Sequence, residues 1–264
     1  MTDWLALCRE AVDDVREVLK ELPTRVEREP IVRMGVGGDE TTTIDHEVER
    51  VVIERLASRF DHYRLVSEEV GEVVRGDGAP WIVLDPIDGS LNAKRGVPHF
   101  CLSLAVAEGG TMRDVVFGYV YDFGSGEEWT ARRGEGAWLD GERLGTVRPK
   151  DEIELLAFEA TLASSIAEKA ANVVGLAYRL RVMGSLALAL CNLAAGRLDA
   201  ACSLKAARSV DIAAAQLLVR EVGLAIDLFE APPFEAAALD LEGRSRVVAA
   251  GTPELCARLA AALA

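Results

Sequence analysis

The sequence predicts an α/β protein, and three observations support that prediction. Half of the 264 residues are hydrophobic, which is enough for a large buried core. Two long β-rich runs, FCLSLAVAEG (100–109) and DVVFGYVYD (114–122), predict a pair of neighbouring strands in the first half. The second half alternates helical and strand-like segments, a pattern typical of sheets that are covered by helices.

Two helices are predicted before the strands of the first half. Apolar residues at helical spacing predict one helix that ends before Pro23. The glycine-rich stretch MGVGGDETTT (34–43) predicts a loop, after which Thr42 or Thr43 would cap a second helix. The two apolar faces consist of Leu5, Cys8, Val12, Val15 and Leu19, then Ile44, Val48, Val51, Val52 and Leu56.

The strands of the first half are separated by turn signals. YRLVSEEV (63–70) predicts a short strand that ends in two acids, and GEVVRGDGAP (71–80) predicts a turn-rich connector. WIVL (81–84) is a short apolar run between turns and predicts a buried strand. EEWTARRGEGAWLDGERL (127–144) turns at its glycines and predicts a hairpin.

After residue 150, predicted helices and strands alternate along the chain. The expected helices are TLASSIAEKAANVVG (161–175), SLALALCNLAAG (185–196), DIAAAQLLVREVG (211–223) and TPELCARLAAALA (252–264). Thr252 would cap the last of these, with Pro253 in its first turn. The expected strands are YRLRVM (178–183), LDAACSL (198–204), LAIDLF (224–229) and RVVAAG (246–251).

The charge of the chain restricts its partners. A formal net charge of −14 and a pI near 4.8 disfavour binding to nucleic acid or to an anionic membrane surface. If the substrate is a phosphate, something must reverse the local field, and a divalent cation is the simplest means. The alternative is that the acidity belongs to a solvated surface and needs no ligand. The five cysteines show no C-x-x-C pair, so we expect reduced, buried thiols in a cytoplasmic protein. Neither a signal peptide nor a membrane span is predicted.

Acidic residues recur where predicted elements begin or end. Glu68 and Glu69 follow one strand, while Asp85 and Asp88 follow another in the sequence DPIDGS (85–90). Asp45 and Asp211 open two helices, at positions where an isolated acid is usually a cap. Because ligands of open α/β sheets lie beyond the carboxyl ends of strands, these acids can converge. Converging carboxylates suit Mg²⁺ or Mn²⁺, which prefer oxygen ligands.

The DPIDGS turn is the strongest of these signals. Pro86 should stop the strand, and Gly89 permits a close backbone approach. The spacing of the acids differs from that of an EF-hand loop and of an aspartyl-phosphate phosphatase. It favours water activated by a metal over a phosphorylated aspartate. The N–H groups of Gly89 and Ser90 could bind a phosphate at the start of a short helix.

Three motifs together resemble the inositol monophosphatase family, within the sugar-phosphatase superfamily that includes fructose-1,6-bisphosphatase. They are SEEVGE (67–72), WIVLDPIDGSLN (81–92) and SVDIAAAQLLVREVG (209–223). The details are most similar to the archaeal enzymes that hydrolyse both fructose 1,6-bisphosphate and inositol phosphates. The resemblance implies a layered α-β-α-β-α sandwich, divided into an N-terminal lobe (1–150) with an antiparallel sheet and a C-terminal α/β lobe (151–264). It also implies a Mg²⁺-dependent phosphatase and a homodimer.

The resemblance implies roles for individual residues. Two Mg²⁺ ions would be held by Glu68, Asp85, the carbonyl of Ile87, Asp88 and Asp211. A third, looser Mg²⁺ would lie near Glu68 and the loop that carries Asp39. The catalytic residues would be Glu68, Asp45 and Ser90, the last two orienting the attacking water. Substrate contacts would come from Asp88, Gly89, Ser90, Gly184, Ser185, Lys205, Arg208 and Asp211.

Several departures from the family pattern bear on the substrate. The tryptophan usual before the metal aspartate is Val210, and a glutamate that contacts inositol in the animal enzymes is Leu204. Lys205 and Arg208 lie nearby, either as ordinary surface residues or as ligands of a second phosphate. The second interpretation makes fructose 1,6-bisphosphate at least as good a substrate as inositol 1-phosphate. A 3′(2′),5′-bisphosphate nucleotidase and a catalytically silent regulatory protein that binds metal or phosphate stay as alternatives.

Overall fold

The structure is a computed structural model that describes residues 3–36, 40–148, 150, 152–159, 162–230 and 233–264. Asp39, which was predicted to lie near a third metal, falls outside the described residues. The helices are α1 Trp4–Glu21, α2 Arg25–Arg28, α3 Thr43–Arg59, α4 Ser90–Arg95, α5 Ala163–Ala170, α6 Leu186–Ala194, α7 Ser209–Glu221 and α8 Pro253–Leu263.

Five layers of secondary structure stack in the predicted α-β-α-β-α order. Helices α1 and α3 cover the outer face of a first sheet, and α6 and α7 lie between this sheet and a second one. Helix α8 covers the outer face of the second sheet. Each interface between layers is an apolar cluster, so the layering follows from burial of the hydrophobic faces.

The first sheet has eight strands in the order β10-β9-β8-β7-β6-β5-β3-β4. All neighbours are antiparallel except β3 and β5, which run in parallel and place Ser67 beside Leu84. The carboxyl ends of these two strands therefore lie side by side at the same end of the sheet. The strands are β3 Tyr63–Ser67, β4 Gly71–Arg75, β5 Trp81–Asp88, β6 Cys101–Ala107, β7 Val115–Asp122, β8 Glu128–Arg132, β9 Gly136–Leu139 and β10 Glu142–Arg143.

The second sheet has five strands in the order β12-β11-β13-β15-β14. Strand β11 runs parallel to both of its neighbours, whereas β15 is antiparallel to β13 and β14. A separate two-stranded sheet joins β1 Ile31–Met34 to β2 Glu40–Thr42. The second-sheet strands are β11 Ile153–Glu159, β12 Ala177–Arg181, β13 Ala200–Ser203, β14 Ala225–Leu228 and β15 Val247–Ala250.

The central helix α7 packs closely on the first sheet because small residues face it. Its run of alanines, Ala213–Ala215, is buried. A side chain on Gly118 of β7 would lie 2.5 Å from the carbonyl oxygen of Ala214, so only glycine fits there. This close contact fixes the start of α7, and with it Asp211, relative to the first sheet.

Most predicted elements are present, and three predictions were wrong in part. The connector 71–80 begins with strand β4, an exposed sheet edge whose polar residues look like a turn. The loop 34–43 contains β2 and the end of β1, a strand exposed at all four residues. Pro86 does not end β5, because the pairing with β6 becomes irregular between Asp85 and Asp88 and needs no proline N–H there. Strand β11 was not predicted.

The predicted helix caps and cysteine states agree with the structure. Thr42 is the residue before α3, and the Thr252 hydroxyl accepts from the N–H of Leu255 at 3.2 Å. All five cysteines are free and buried. None of the helices within the described residues is long and apolar enough to cross a membrane.

Candidate active site

The predicted site residues converge on one pocket between the two sheets. The cavity has a volume of about 280 Å³. It is lined by every site residue that the sequence predicted within the described part of the chain: Asp45, Glu68, Asp85, Ile87, Asp88, Gly89, Ser90, Gly184, Ser185, Lys205, Arg208 and Asp211. The parallel pair β3 and β5 delivers Glu68, Asp85 and Asp88 to one edge, and the start of α7 adds Asp211.

The DPIDGS turn folds back on itself through its own polar groups. The N–H of Ile87 donates to Asp85 Oδ1 at 3.0 Å, and the Ser90 hydroxyl donates to the Ile87 carbonyl at 2.9 Å. Gly89 has a φ of 94° and precedes α4. A side chain on Gly89 would approach the carbonyl oxygens of His99 and Gly184 to 3.0 and 3.2 Å. The turn therefore needs glycine for both its conformation and its space.

Burial and mutual repulsion raise the pKa values of the strand-end carboxyls. The pKa of Asp85 lies well above its usual value, mainly because of burial and then because of the charges of Glu68, Asp88 and Asp211. Burial raises the pKa of Asp88 to about 7, and the Asp211 charge adds to this. Burial also raises the pKa of Glu68, despite the charge of Arg208. These groups favour a bound proton or a bound cation over free charge.

Arg208 supplies positive charge inside this acidic pocket. Its side chain is 6% exposed, so the interpretation as an ordinary surface residue was wrong. Its Nη2 contacts Glu68 and lies 3.2 Å from Asp211 Oδ1, while its backbone N–H donates to Asp211 Oδ2 at 2.6 Å. The surrounding carboxylates hold the pKa of Arg208 above its usual range, against the opposing effect of burial. Lys205 is exposed at the rim of the same pocket.

The donor chemistry of the pocket fits a divalent cation. The carboxylates of Glu68, Asp85, Asp88 and Asp211 line one cavity together with Ile87, and carboxylate and carbonyl oxygens suit Mg²⁺ or Mn²⁺. Within the described ranges, however, no three Asp, Glu, His or Cys side chains are arranged to hold one ion as they stand. The Arg208 guanidinium engages two of these carboxylates, Glu68 and Asp211. The oxygen donors fit a divalent cation in kind, and a cation held by Glu68 or Asp211 would take the place of those Arg208 contacts.

Asp45 presents an unpaired oxygen beside the DPIDGS turn. It is 3% exposed at the start of α3. Its Oδ2 accepts from the N–H and the hydroxyl of Thr42 at 3.1 and 2.6 Å, but its Oδ1 is buried without a hydrogen-bond partner. Burial raises the pKa of Asp45, although Thr42 and the nearby Ser90 hydroxyl oppose that shift. A buried acceptor without a donor can receive a hydrogen bond from water or substrate.

Ser185 is both the cap of a helix and a residue of the pocket. Its hydroxyl accepts from the N–H of Leu188 at 3.2 Å, as the cap of α6. The same hydroxyl donates to Asp88 Oδ2 at 2.6 Å, and the N–H of Ala187 donates to that oxygen at 2.7 Å. Asp88 is therefore tied to the start of α6.

Sequence reasoning missed several acids in and beside the pocket, and Glu49 and Glu159 are the two most buried of them. Glu49 is 1% exposed, and its Oε1 accepts from the Ser67 hydroxyl and from the N–H groups of Glu69 and Val70, at 2.6 to 3.1 Å. The sequence could have revealed Glu49 as an acidic residue within the apolar face of α3, one turn after Asp45. Glu159 ends β11, an element that was itself not predicted, and it lines the pocket.

The pattern of the inositol monophosphatase family matches residues 4–264 of the chain. The fructose-1,6-bisphosphatase/inositol-1-monophosphatase of Archaeoglobus fulgidus is 31% identical over 251 residues, which cover 94% of this chain and 93% of that protein. The protein of the same name from Methanothermobacter thermautotrophicus is 29% identical, over 96% and 93%. The Nus factor SuhB of Escherichia coli is 36% identical over 191 residues, 70% of each chain.

Solved structures show the same fold. A crystal structure of an inositol monophosphatase–fructose 1,6-bisphosphatase superposes with a TM-score of 0.86 and 23% identity, over 99% of this chain and 100% of that one. The Thermotoga maritima inositol monophosphatase superposes with a TM-score of 0.78 and 23% identity, over 99% and 98%. The predicted fold class is confirmed.

Proposed function

The chain belongs to the inositol monophosphatase family, and from its pocket we propose a divalent-metal-dependent phosphatase that hydrolyses phosphate monoesters of sugars or cyclitols. One observation carries the proposal. Carboxylates from several separate segments line one cavity, and burial together with neighbouring charges raises the pKa values of Glu68, Asp85 and Asp88. Such a set is costly to keep unless a cation or an anionic substrate bound through a cation neutralises it.

The proposed metal ligands are Glu68, Asp85, the Ile87 carbonyl, Asp88 and Asp211. When bound, Mg²⁺ would acidify a water molecule and neutralise negative charge on the phosphoryl group. Asp45 Oδ1 would accept a hydrogen bond, and then the proton, from the attacking water. Ser90 would help to orient that water through its hydroxyl, which here donates to the Ile87 carbonyl. The N–H groups of Gly89 and Ser90 would bind phosphoryl oxygens.

The pocket size and its basic residues support a small substrate. A volume of about 280 Å³ lies just below the usual range for ligand pockets, roughly 300–1,000 Å³, and suits a sugar or cyclitol phosphate better than a nucleotide. Lys205 at the rim and Arg208 inside it supply the positive charge that a second phosphate requires. Fructose 1,6-bisphosphate is therefore proposed as a substrate at least as good as inositol 1-phosphate. The two archaeal relatives carry both activities in their names.

Phosphate release from a panel of substrates tests the proposal. We expect turnover of fructose 1,6-bisphosphate and inositol 1-phosphate with Mg²⁺, and its loss in EDTA. Activity that persists after thorough chelation would reject the metal dependence. Preferred turnover of adenosine 3′,5′-bisphosphate would favour the nucleotidase instead. A Lys205→Ala, Arg208→Ala double variant that keeps full turnover of fructose 1,6-bisphosphate would reject the second-phosphate site.

A regulatory role without catalysis has one observation in its favour. The 36% identical relative from Escherichia coli is named a Nus factor, which is not the name of a phosphatase. Binding of Mn²⁺ without hydrolysis of any ester in the panel would support that alternative. The homodimer, the cytoplasmic location and the division into lobes at residue 150 stay predictions.

A further inference from the structure

The segment Met183–Ala187 lines the pocket with its three central residues and is held by one side chain from helix α4 and one from strand β11. Asn92, in helix α4 of the DPIDGSLN motif, donates through Nδ2 to the Met183 carbonyl at 2.7 Å and to the His99 carbonyl at 2.8 Å. Two carbonyls that are 84 residues apart in the chain therefore share one amide. The proposed chemistry leaves this side chain without a role.

Glu159 holds the same segment from the second sheet. Its Oε2 accepts from the N–H of Gly184 at 2.7 Å, and its Oε1 from the N–H of Met183 at 3.3 Å. Glu159 is 6% exposed, and burial raises its pKa while the two N–H groups oppose that shift. A buried acid that faces two backbone donors is well suited to fixing the path of the backbone.

The held segment is the one that binds Asp88. Ser185 and Ala187 donate to Asp88 Oδ2, one and three residues after Gly184. Gly184 has a φ of 85°, and a side chain there would lie 3.2 Å from Asn92 Nδ2. A displacement of the segment at Met183 or Gly184 would thus move the two donors that set the orientation of Asp88.

We propose that Asn92 of α4 and Glu159 of β11 are positioning residues that together clamp Met183–Gly184 and so orient Asp88. The inference rests on the proposed function, because Asp88 is a metal ligand only under that proposal. Outer partners of metal ligands typically change metal affinity or activity by about 10- to 100-fold when they are replaced. We expect an effect of that order on both Mn²⁺ affinity and kcat/KM.

Asn92→Asp is the first test, because it keeps the size of the side chain and replaces the donor with an acceptor that faces two carbonyls. Asn192→Asp is its matched control, because Asn192 Nδ2 also donates to a backbone carbonyl, that of Leu188 at 2.9 Å, and this bond lies within α6. If Asn92→Asp fails to fold, Asn92→Ala removes both donors without adding a charge.

Glu159→Gln is the second, independent test. It keeps one acceptor oxygen and turns an amide donor toward the other N–H group. Glu230→Gln is the control, since Glu230 also accepts from a backbone N–H, that of Arg246 at 2.7 Å, but does not line the pocket. For every variant, the measurements are Mn²⁺ binding by electron paramagnetic resonance, kcat and KM, and the metal-free melting temperature.

The proposal predicts weaker Mn²⁺ binding and lower kcat/KM in the Asn92 and Glu159 variants, with both controls near the wild type. Variants that melt lower but bind Mn²⁺ and turn over substrate like the wild type would overturn it, because they would show a purely structural role. Mn²⁺ binding separates this outcome from failure of the proposed function. A wild-type protein without phosphatase activity would reject the proposed function. The Mn²⁺ affinities of the variants would still show whether Asn92 and Glu159 position Asp88.

Discussion

The two sides of the pocket neutralise their acids in different ways. On the side of the first sheet, Asp45 accepts from the N–H and the hydroxyl of Thr42, and Asp85 accepts from the N–H of Ile87. On the side of α7, Asp211 shares a guanidinium with Glu68 through Arg208. The first side therefore depends on a proton or an added cation, whereas the second carries a cation in the chain. The same substitution, Asp to Asn, should have different consequences for stability on the two sides.

Asp85→Asn is expected to have the largest effect on activity. Loss of one carboxylate from the metal set should lower kcat by at least about a hundredfold. The metal-free protein should stay as stable or become more stable, because a neutral amide is easier to bury than a carboxylate among other acids. Initial rates with Mg²⁺ and urea unfolding in EDTA measure the two effects.

Asp211→Asn supplies the contrast. Its activity should fall by a similar factor, but the metal-free protein should lose about 1–3 kcal/mol because Arg208 loses one of its buried partners. Equal changes in stability for Asp85→Asn and Asp211→Asn would show that Arg208 does not distinguish the two sides.

Stability should change with pH in opposite directions in the metal-free and the metal-bound protein. In the metal-free protein, Asp88 and Glu69 have pKa values of about 7, both raised mainly by burial, so between about pH 4 and 7 the folded state holds more protons than the unfolded state. Stability should therefore fall as pH rises through that window, by a few kcal/mol in all (roughly), and level off above about pH 7. With saturating Mg²⁺, stability should instead rise, because metal binding releases the protons of Asp88 and of the other proposed metal ligands.

Urea unfolding at pH 5, 6, 7 and 8, with Mg²⁺ or with EDTA, measures both slopes. The Asp88→Asn variant serves as the control, since it should flatten the slope of the metal-free protein. A metal-free protein that becomes more stable from pH 5 to 7 would contradict the raised pKa values.

The local part of the site could be predicted from the sequence, and the long-range part could not. The DPIDGS turn is encoded within six residues, where a strand, a proline and a glycine fix the path of the backbone. The position of Arg208 depends on the parallel pairing of β3 with β5 and on the packing of α7 against Gly118, which bring Glu68 and Asp211 together. No local sequence pattern encodes these long-range contacts, so Arg208 could be interpreted from the sequence as a surface residue.

The fold was predictable where burial produced a clear period. Helices α1 and α3 and strands β6 and β7 have apolar faces that the sequence shows directly. Strands β1 and β4 are exposed, so their residues carry no burial pattern. Strand β11, with the sequence IELLAFE, consists largely of residues that also favour helices, and its period does not decide between the two.

Replacing the adjacent acids Glu68 and Glu69 sharpens the comparison further. Glu68→Gln should lower activity strongly, because it removes a proposed metal ligand and the partner of Arg208. Glu69→Gln should change kcat less than about fivefold, because Glu69 contacts the Thr41 hydroxyl instead, and a Gln side chain retains an acceptor there. Rate measurements on both variants check this prediction. Similar losses of activity in the two variants would mean that Glu68 cannot be distinguished from Glu69 as the metal ligand.

Glu49 should show the smallest effect, because its contribution to the first-sheet side is hydrogen bonding rather than charge. One oxygen, Oε1, accepts all three bonds that shape the end of β3, while Oε2 lies 3.4 Å from Arg33, which is partly exposed. Glu49→Gln keeps such an oxygen, so stability should change by less than about 1 kcal/mol, and kcat by less than about twofold. Glu49→Leu removes the acceptor and leaves buried N–H groups unsatisfied, at a cost of about 1–3 kcal/mol. Urea unfolding of both variants measures the change in stability, and their initial rates measure the change in kcat. A Glu49→Gln variant as inactive as Glu68→Gln would place the Glu49 charge among the acids that the cation must neutralise.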